Sequence, residues 1–439
     1  MSKTDLSRRK FLSRSALALP VAAAIPAAME VTSMTAEAAS VRQDIPSRTL
    51  PTRAIGTTTV TVSGLPTDET SDCSAIIQAA INSLPTTGTN KGGTVIIPRT
   101  STGGTGKNRC IYRLNCQAYT DGTASWGLLM KSNVRLEFRP GVVLQALTIN
   151  SNPSNLTKRA YMVYAHEIND VEIVNAWFVG ERQTHIYSGL GTGTDEWCHG
   201  MQVLGVDGMT IMGTTVSDCT GDGVCVGNMG STGSSDIIIF NSILTTNRRQ
   251  ALSITQGDGI YCYDSEFSNT YGTLPMDGID IEPQGSASVN NVVIDNCVIR
   301  GNQGNGIECN LQGTSLTNLT ISNSMVQNNF YNGFWTHMGS GGTVDTGSVH
   351  GNAFYQNGNY GLVLSDLTTN YTVGDPSANG SLSNNFSNNK TTTGDITYPH
   401  TNQTNTKGVP AGSNQISVGT NTQLPSSGTV INYNSYFTH

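Results

Sequence analysis

Charge is scarce in this chain of 439 residues. Lys, Arg, Asp and Glu make up 13% of it, with 31 acids against 24 bases. A formal net charge of −7 argues against a nucleic-acid partner, which would require a basic patch. It argues, more weakly, against a strongly anionic substrate. Nine cysteines are present, but no C-x-x-C, so neither a zinc site nor a disulfide framework is indicated. Cys110 with Cys116 is the one pair that suggests a bridge. The apolar run from Ala16 to Ala28 falls short of the roughly 20 residues needed to span a bilayer. Helical periodicity is also rare. What is plentiful is Gly, at 48 residues, together with Asn, Ser and Thr. That composition suits turn-rich β structure.

A repeat sets the architecture. Small residues precede an apolar-x-apolar triplet at Gly200, Gly223, Ala251, Gly278, Gly306, Gly333 and Gly361, with spacings of 23, 28, 27, 28, 27 and 28 residues. A second apolar column interleaves: Met209–Ile211, Ile237–Ile239, Ile260–Cys262, Val292–Ile294 and Leu319–Ile321. A propeller blade needs four strands and about 40 residues. Each period here holds two or three short strands, which is one coil of a parallel β-helix. The expected fold is all-β: a single-stranded right-handed parallel β-helix with a short N-terminal capping helix. Cys262 and Cys309 fall in inward columns, and Cys297 shares a column with Ser242, Ser265 and Ser324. All three read as small core residues.

In chain order, residues 1–39 read as a twin-arginine signal peptide. Ser7-Arg8-Arg9-Lys10-Phe11-Leu12 precedes the apolar run, and Ala36-Glu37-Ala38 offers a cleavage site. The mature protein is therefore expected to be periplasmic or secreted, with no membrane span. Residues 40–69 read as a lead-in. Asp72 to Leu84 reads as an amphipathic helix with Ile76, Ala80 and Leu84 on one face and Ser71 or Asp72 as N-cap. Residues 70–366 form the β-helix with its N-terminal cap, interrupted by a polar excursion from Glu181 to Trp197. Residues 367–439, rich in Thr, Asn and Ser, read as a C-terminal cap or tail, with candidate strands at 415–418 and 429–433.

The chemistry gathers on one outward face. Counting from the small residue, positions +1 and +3 point inward and +2 and +4 outward. Outward pairs include Asp280/Glu282, Glu308/Asn310 and Trp335/His337. The position before the small residue adds His199, Asp222, Gln250, Asp277, Asn305 and Asn332, while Arg248 and Arg249 enter beside them. Coils stack at about 4.8 Å, so Asp280 and Glu308 are expected neighbours. Asp277, Asp280 and Glu308 are the catalytic candidates. Glu282, Arg248, Arg249, His337, Trp335, Asp222 and His199 are the substrate-binding candidates, with Tyr271 and Trp197 as further stacking surfaces. Crowded carboxylates force one pKa up and leave a proton donor beside a base. Inverting glycoside hydrolysis needs such a pair about 6.5–9.5 Å apart. No metal is assigned.

The N-terminal order also carries a resemblance. A helix containing Ile77-Gln78-Ala79-Ala80-Ile81 is followed by Gly92-Gly93-Thr94-Val95-Ile96-Ile97-Pro98 and Tyr112-Arg113-Leu114. Together with the coils, over roughly residues 60–366, this resembles the pectate-lyase-like superfamily, which includes polygalacturonases, phage tailspikes and alginate epimerases. Asp277-Gly278-Ile279-Asp280 looks like the N-T-D-G-x-D strand of polygalacturonases, in which both aspartates are catalytic. Met276 stands in place of Thr, no D-D pair follows, and no R-I-K is present. Cys198-His199-Gly200 is similar to that family's G-H-G but precedes the aspartates. The D-P-H of the epimerases is absent. The resemblance implies a polysaccharide substrate, and these departures argue against galacturonan. Tailspike glycosidases, which place Asp and Glu on neighbouring coils, are commonly trimers; the sequence leaves the oligomeric state open.

Three functions stay open at this stage. An inverting glycoside hydrolase would use Asp277 or Asp280 as general acid and the other, with Glu308, as base. A polysaccharide lyase would use the acids to hold Ca²⁺ or neutralise a uronate, with Arg248, Arg249 or His337 as base. A non-catalytic glycan-binding protein is the third.

Overall fold

Aliphatic side chains recurring at one position per coil line up in files, and those files are the core. The computed structural model describes residues 48–66, 68–99, 109–151, 159–187, 195–338, 342–364 and 368–374, with short stretches at 384–387, 389, 396–397 and 416–418. Arg53–His439 forms one unit, and the sheets lie within it. The signal peptide expected at 1–39 and the strand expected at 429–433 lie outside the described residues.

Three sheets run the length of the solenoid. Among the described residues the first holds twelve strands, from Thr59–Thr61 to Ile416–Val418, and the second ten, from Cys110–Leu114 to Asn385–Ser387. The third, which carries the site, runs from Tyr119–Thr120 to Ile396–Thr397. Pairing from coil to coil is parallel and in register: Ser253 pairs with Asp280, Asp280 with Glu308, and Glu308 with Trp335. Two of the three columns are those visible in the sequence. The second sheet was hidden because each of its later strands is three residues long with one inward side chain. Phe178, Val216, Leu244, Phe267, Ile299, Val326 and Phe354 fill that file, all at 0% exposure.

The small residue before each site strand is fixed by close approach. A Cβ on Gly278 would sit 2.7 Å from the carbonyl oxygen of Gly306 on the next coil. The corners use a different device. A residue in the left-handed region, such as Asn241, Asp264, Asn296 or Asn323, turns the chain out of the first sheet. The next residue then buries a polar side chain that accepts from the backbone above it. Ser242 N–H donates to Ser265 Oγ at 3.1 Å, and Cys297 N–H to Ser324 Oγ at 3.0 Å. At the other corner an asparagine ladder does the same work. Asn302 Nδ2 donates to Asn329 Oδ1 at 2.9 Å, and Asn329 Nδ2 to Asn357 Oδ1 at 3.0 Å. Each amide satisfies a buried backbone group that the bend would otherwise leave without a partner.

Four details differ from the sequence reading. The helix is Ser74–Ser83, capped by Cys73, and its buried face is Ile77, Gln78 and Ile81, with Ile76 and Ala80 at the margin. Asp72 still serves the start, accepting from Ser74 N–H at 2.8 Å. The lead-in contributes the strand Thr59–Thr61, paired with Thr94–Ile96. The region past residue 366 continues all three sheets through Thr368–Val373, Asn385–Ser387 and Ile396–Thr397. Cys110 and Cys116 are free and buried, as are the other seven cysteines. Cys110 opens the extended strand Cys110–Leu114. At about 3.3 Å per residue, its partner six positions on is beyond disulfide reach.

The ladder makes a testable demand. Asn329→Ala strands the Asn302 N–H, which donates to Asn329 Oδ1 at 3.2 Å, and should lower unfolding free energy by about 1–3 kcal/mol. Denaturant melts measure this; a change below about 0.5 kcal/mol would show that the ladder contributes nothing.

Candidate active site

The outward face of the third sheet is where the repeat stops being uniform. Over most coils its outward positions carry small or neutral side chains, such as Gln202, Cys225 and Ser253. At Ile279–Ile281, with Glu282 just past it, and at Ile307–Leu311 they carry Asp280, Glu282 and Glu308. Asp277 reaches the same place from the corner before its strand. All four acids are buried, with Asp277 at 0% and Asp280 at 1% exposure.

Each carboxylate has its own supports. Asp277 Oδ1 accepts a short hydrogen bond from Asn305 N–H, and a Cβ on Gly304 would overlap that oxygen, so only glycine fits there. Its Oδ2 has no conventional donor, but Glu308 lies within hydrogen-bond reach. Two ionised carboxylates cannot share that contact; one proton between them can. Glu308 also accepts from Asn305 Nδ2 at 2.9 Å and faces His337 Nδ1 at 2.9 Å. Asp280 Oδ2 accepts a short hydrogen bond from Gln250 Nε2, while Oδ1 has no partner. Glu282 Oε1 accepts from Gln312 Nε2 at 3.0 Å and Asn310 Nδ2 at 3.4 Å.

The protonation pattern follows from burial and crowding. Burial, then the charge and hydrogen bond of Glu308, hold Asp277 well above the usual carboxylate range. Burial, then Glu282, Asp277 and Glu308, raise Asp280, with Arg249 opposing. Burial lifts Glu308 to about 7, while hydrogen bonds from Asp277 and Asn305 pull the other way. Burial lowers the His337 imidazole, with Asp277 opposing. At neutral pH the cluster therefore holds neutral carboxyl groups beside a carboxylate that titrates near neutrality.

Arg249 supplies the internal cation. It lies 3.2 Å from Asp222, 3.3 Å from Glu196 and 3.8 Å from Glu282. Burial would discharge it, but Asp222, Glu196, Glu282 and Asp280 keep it protonated. Asp222 also accepts from Ser253 Oγ at 2.8 Å. His199 Nδ1 accepts from the Asp222 N–H at 2.9 Å, and its ring stacks on Tyr161. The hydrogen bond and the stack fix the His199 ring in place.

The structure thus gathers Asp277, Asp280, Glu308, Glu282, Arg249, Asp222, His199 and His337 along one face. Trp335 stacks on His337, with centroids 4.1 Å apart and planes at 9°, so it forms a joint platform rather than a lone ring. Arg248 turns to the neighbouring corner, 4.8 Å over the Tyr187 ring, and donates to Thr220 O at 3.4 Å. Consecutive residues point to opposite sides, so Arg248 and Arg249 diverge. Tyr271 is covered by the Arg182 guanidinium, 3.7 Å over its ring, and Trp197 by Arg159 at 5.3 Å. Sequence reasoning did not assign roles to Gln250, Asn305, Gly304 and Glu196. Gln250 and Asn305 stood in the corner column and could have been read as supports. Glu196 sits on the polar excursion from Glu181 to Trp197, a loop long enough to suggest a role, but outside the repeat nothing in its spacing pointed to Arg249.

The architecture is a right-handed parallel β-helix with a buried carboxylate ladder on one face. Residues 194–346 match the family model described as right handed beta helix region. The uncharacterized protein YclG of Bacillus subtilis is 27% identical over 186 residues, which is 40% of this chain and 31% of that relative. The chain thus aligns with about a third of that relative's length. The mannuronan C-5 epimerase AlgE4 A-module of Azotobacter vinelandii is 16% identical, covering 77% of this chain and 97% of that one, with a TM-score of 0.45. The exopolygalacturonase of Thermotoga maritima is 14% identical, covering 82% and 92%, with a TM-score of 0.46. Among the described residues no helix is long and apolar enough to cross a membrane.

The raised carboxyl groups predict an unusual stability profile. The native state holds protons that the unfolded chain releases, so stability falls as pH rises from about 4.5, the ordinary value of Glu308, towards its folded value of about 7. Asp277→Asn keeps the acceptor for Asn305 and removes a charge. It should raise the melting temperature at pH 8 and change it little at pH 4. A scan of melting temperature against pH checks this; a drop at every pH would mark Asp277 as purely structural.

Proposed function

We propose that this chain is a polysaccharide-active enzyme, an inverting glycoside hydrolase acting through Asp280 and Glu308. The observation that supports this reading best is Asp280 Oδ1. It is a buried carboxyl oxygen with no protein partner, on a group whose surroundings keep it protonated. A protonated carboxyl lacking an acceptor is a general acid awaiting one, and the glycosidic oxygen is that acceptor. Glu308, in register on the next coil, is the base that takes a proton from water. Asn305, His337 and Asp277 hold its oxygens, so it is positioned to accept a proton rather than to swing and attack. Asp277 is a positioning residue that shares its proton with Glu308. Trp335 and His337, half-buried at the rim, offer a flat surface to a sugar ring.

The lyase reading is weaker on the same residues. A lyase must neutralise a uronate carboxylate, and Arg249 already serves three carboxylates of this chain. Export through the twin-arginine pathway fits an enzyme whose polymer lies outside the cytoplasm.

A polysaccharide panel, read in parallel for reducing ends and for unsaturated-sugar absorbance with EDTA as control, tests this. Reducing ends without the chromophore, unaffected by EDTA, are expected. Asp280→Asn should lower kcat by about 10²–10⁴-fold. The acid limb of the kcat/KM profile should fall near pH 7, where Glu308 loses its proton. Proton NMR of the first product anomer should show inversion; retention would reassign Glu308 as nucleophile. The chromophore would replace hydrolysis with elimination.

A further inference from the structure

A side-chain amide has a donor end and an acceptor end, and its orientation decides what each neighbour can do. Gln250 stands at such a junction. It is fully buried in the corner before Ala251. Its backbone carbonyl accepts from Gly223 N–H at 2.9 Å, which pins it beside the acids. Its Oε1 meets Arg249 Nη1 and Ser253 Oγ, and its Nε2 meets Asp280 Oδ2.

Arg249 settles which way the amide lies. A guanidinium carries protons and no acceptor, so only the amide oxygen can rest against it. The reversed amide would set N–H against N–H. The two protons on Nη1 divide between Asp222, at 3.2 Å, and Gln250 Oε1. Ser253 does not decide the matter, since its hydroxyl has one proton and Asp222, at 2.8 Å, competes for it. With Oε1 turned to Arg249, Nε2 faces Asp280, and Nε2 can only donate. Asp280 Oδ2 is thus held as an acceptor. Burial and the neighbouring carboxyl groups favour the neutral form of Asp280. A neutral carboxyl presents its carbonyl oxygen to a donor and keeps the proton on the other oxygen. That other oxygen is Oδ1, which is buried and has no protein partner.

We propose that Arg249 and Gln250 form a relay that sets which oxygen of Asp280 carries the proton, placing it on Oδ1. Its use in catalysis rests on the hydrolase reading above. In that reading the Oδ1 proton passes to the glycosidic oxygen as the bond to the anomeric carbon breaks. Water supplies the replacing oxygen, and Glu308 takes the water proton. Gln250 is then a positioning residue. Arg249, a substrate-binding candidate in the sequence, instead orients the acid from within. A donor aimed before the substrate arrives needs no reorganisation at the moment of reaction.

Neutron diffraction from deuterium-exchanged crystals at neutral pD locates the proton directly. A deuteron on Asp280 Oδ1 is expected, with an amide deuteron of Gln250 directed at Oδ2. Gln250→Glu is nearly isosteric and reverses the logic. Its carboxylate, held by Arg249, offers Asp280 an acceptor in place of a donor, so the deuteron should move to Oδ2 while Asp280 stays neutral. On a polysaccharide that the panel shows to be cleaved, kcat and kcat/KM should fall together by about 10²-fold. A glycosyl fluoride of the same sugar, whose leaving group needs no proton, should lose at least about tenfold less. A merely structural role would slow both alike. Gln250→Met keeps the length without the amide. In it the infrared carbonyl band of Asp280, identified by its loss in Asp280→Asn, should move to higher wavenumber as the carbonyl loses its donor. A wild-type deuteron on Oδ2 or on neither oxygen, or an unmoved infrared band, would overturn the proposal. A deuteron on Oδ1 with no glycan cleaved would leave the relay standing and sink the hydrolase reading. Hydrolysis by Gln250→Glu at the wild-type rate would do the reverse.

Discussion

Everything in this molecule depends on vertical register. Parallel strands stacked at about 4.8 Å force each residue to sit over its counterpart one coil away. Aliphatic over aliphatic builds a core without a central layer of helices, and amide over amide satisfies the corners. The same rule, applied to Asp280 and Glu308, brings like charges together and keeps them there. Neither side chain can retreat, because sliding one coil past the next would break two other sheets. The strain of the site is held by the regularity of everything else.

That division explains what could be read in advance. The fold was legible because the period repeats: one small residue and two apolar ones, about every 28 positions, from Gly223 to Gly361. The site face was legible for the same reason, since Asp280, Glu282 and Glu308 break the neutral pattern of an otherwise uniform row. The second sheet was illegible because a single inward residue, such as Leu244 or Val326, leaves no alternation within its three-residue strand. The extension past residue 366 was hidden by loss of the apolar signal, although Phe354 still pairs with Phe386 there.

The supports of the site divide along the same line. Asn305 and Gln250 occupy a column already marked, and their roles follow once their neighbours are known to be acids. Glu196 stands outside the repeat, and only the folded chain brings it to Arg249. The divergence of Arg248 from Arg249 is a matter of which side of a corner each faces, and two adjacent arginines look alike in a sequence.

The asparagine ladder has a consequence for how such a molecule changes over generations. Because Asn302, Asn329 and Asn357 make the same bond to the rung above, a whole coil is interchangeable with its neighbour at the corner. Gaining or losing the unit of 28 residues between Gly333 and Gly361 would leave every remaining rung with a matching partner. The distance from the acidic face to the C-terminal end is thus free to lengthen or shorten in discrete steps. The pair formed by Asp280 and Glu308, drawn from consecutive coils, would be inherited intact.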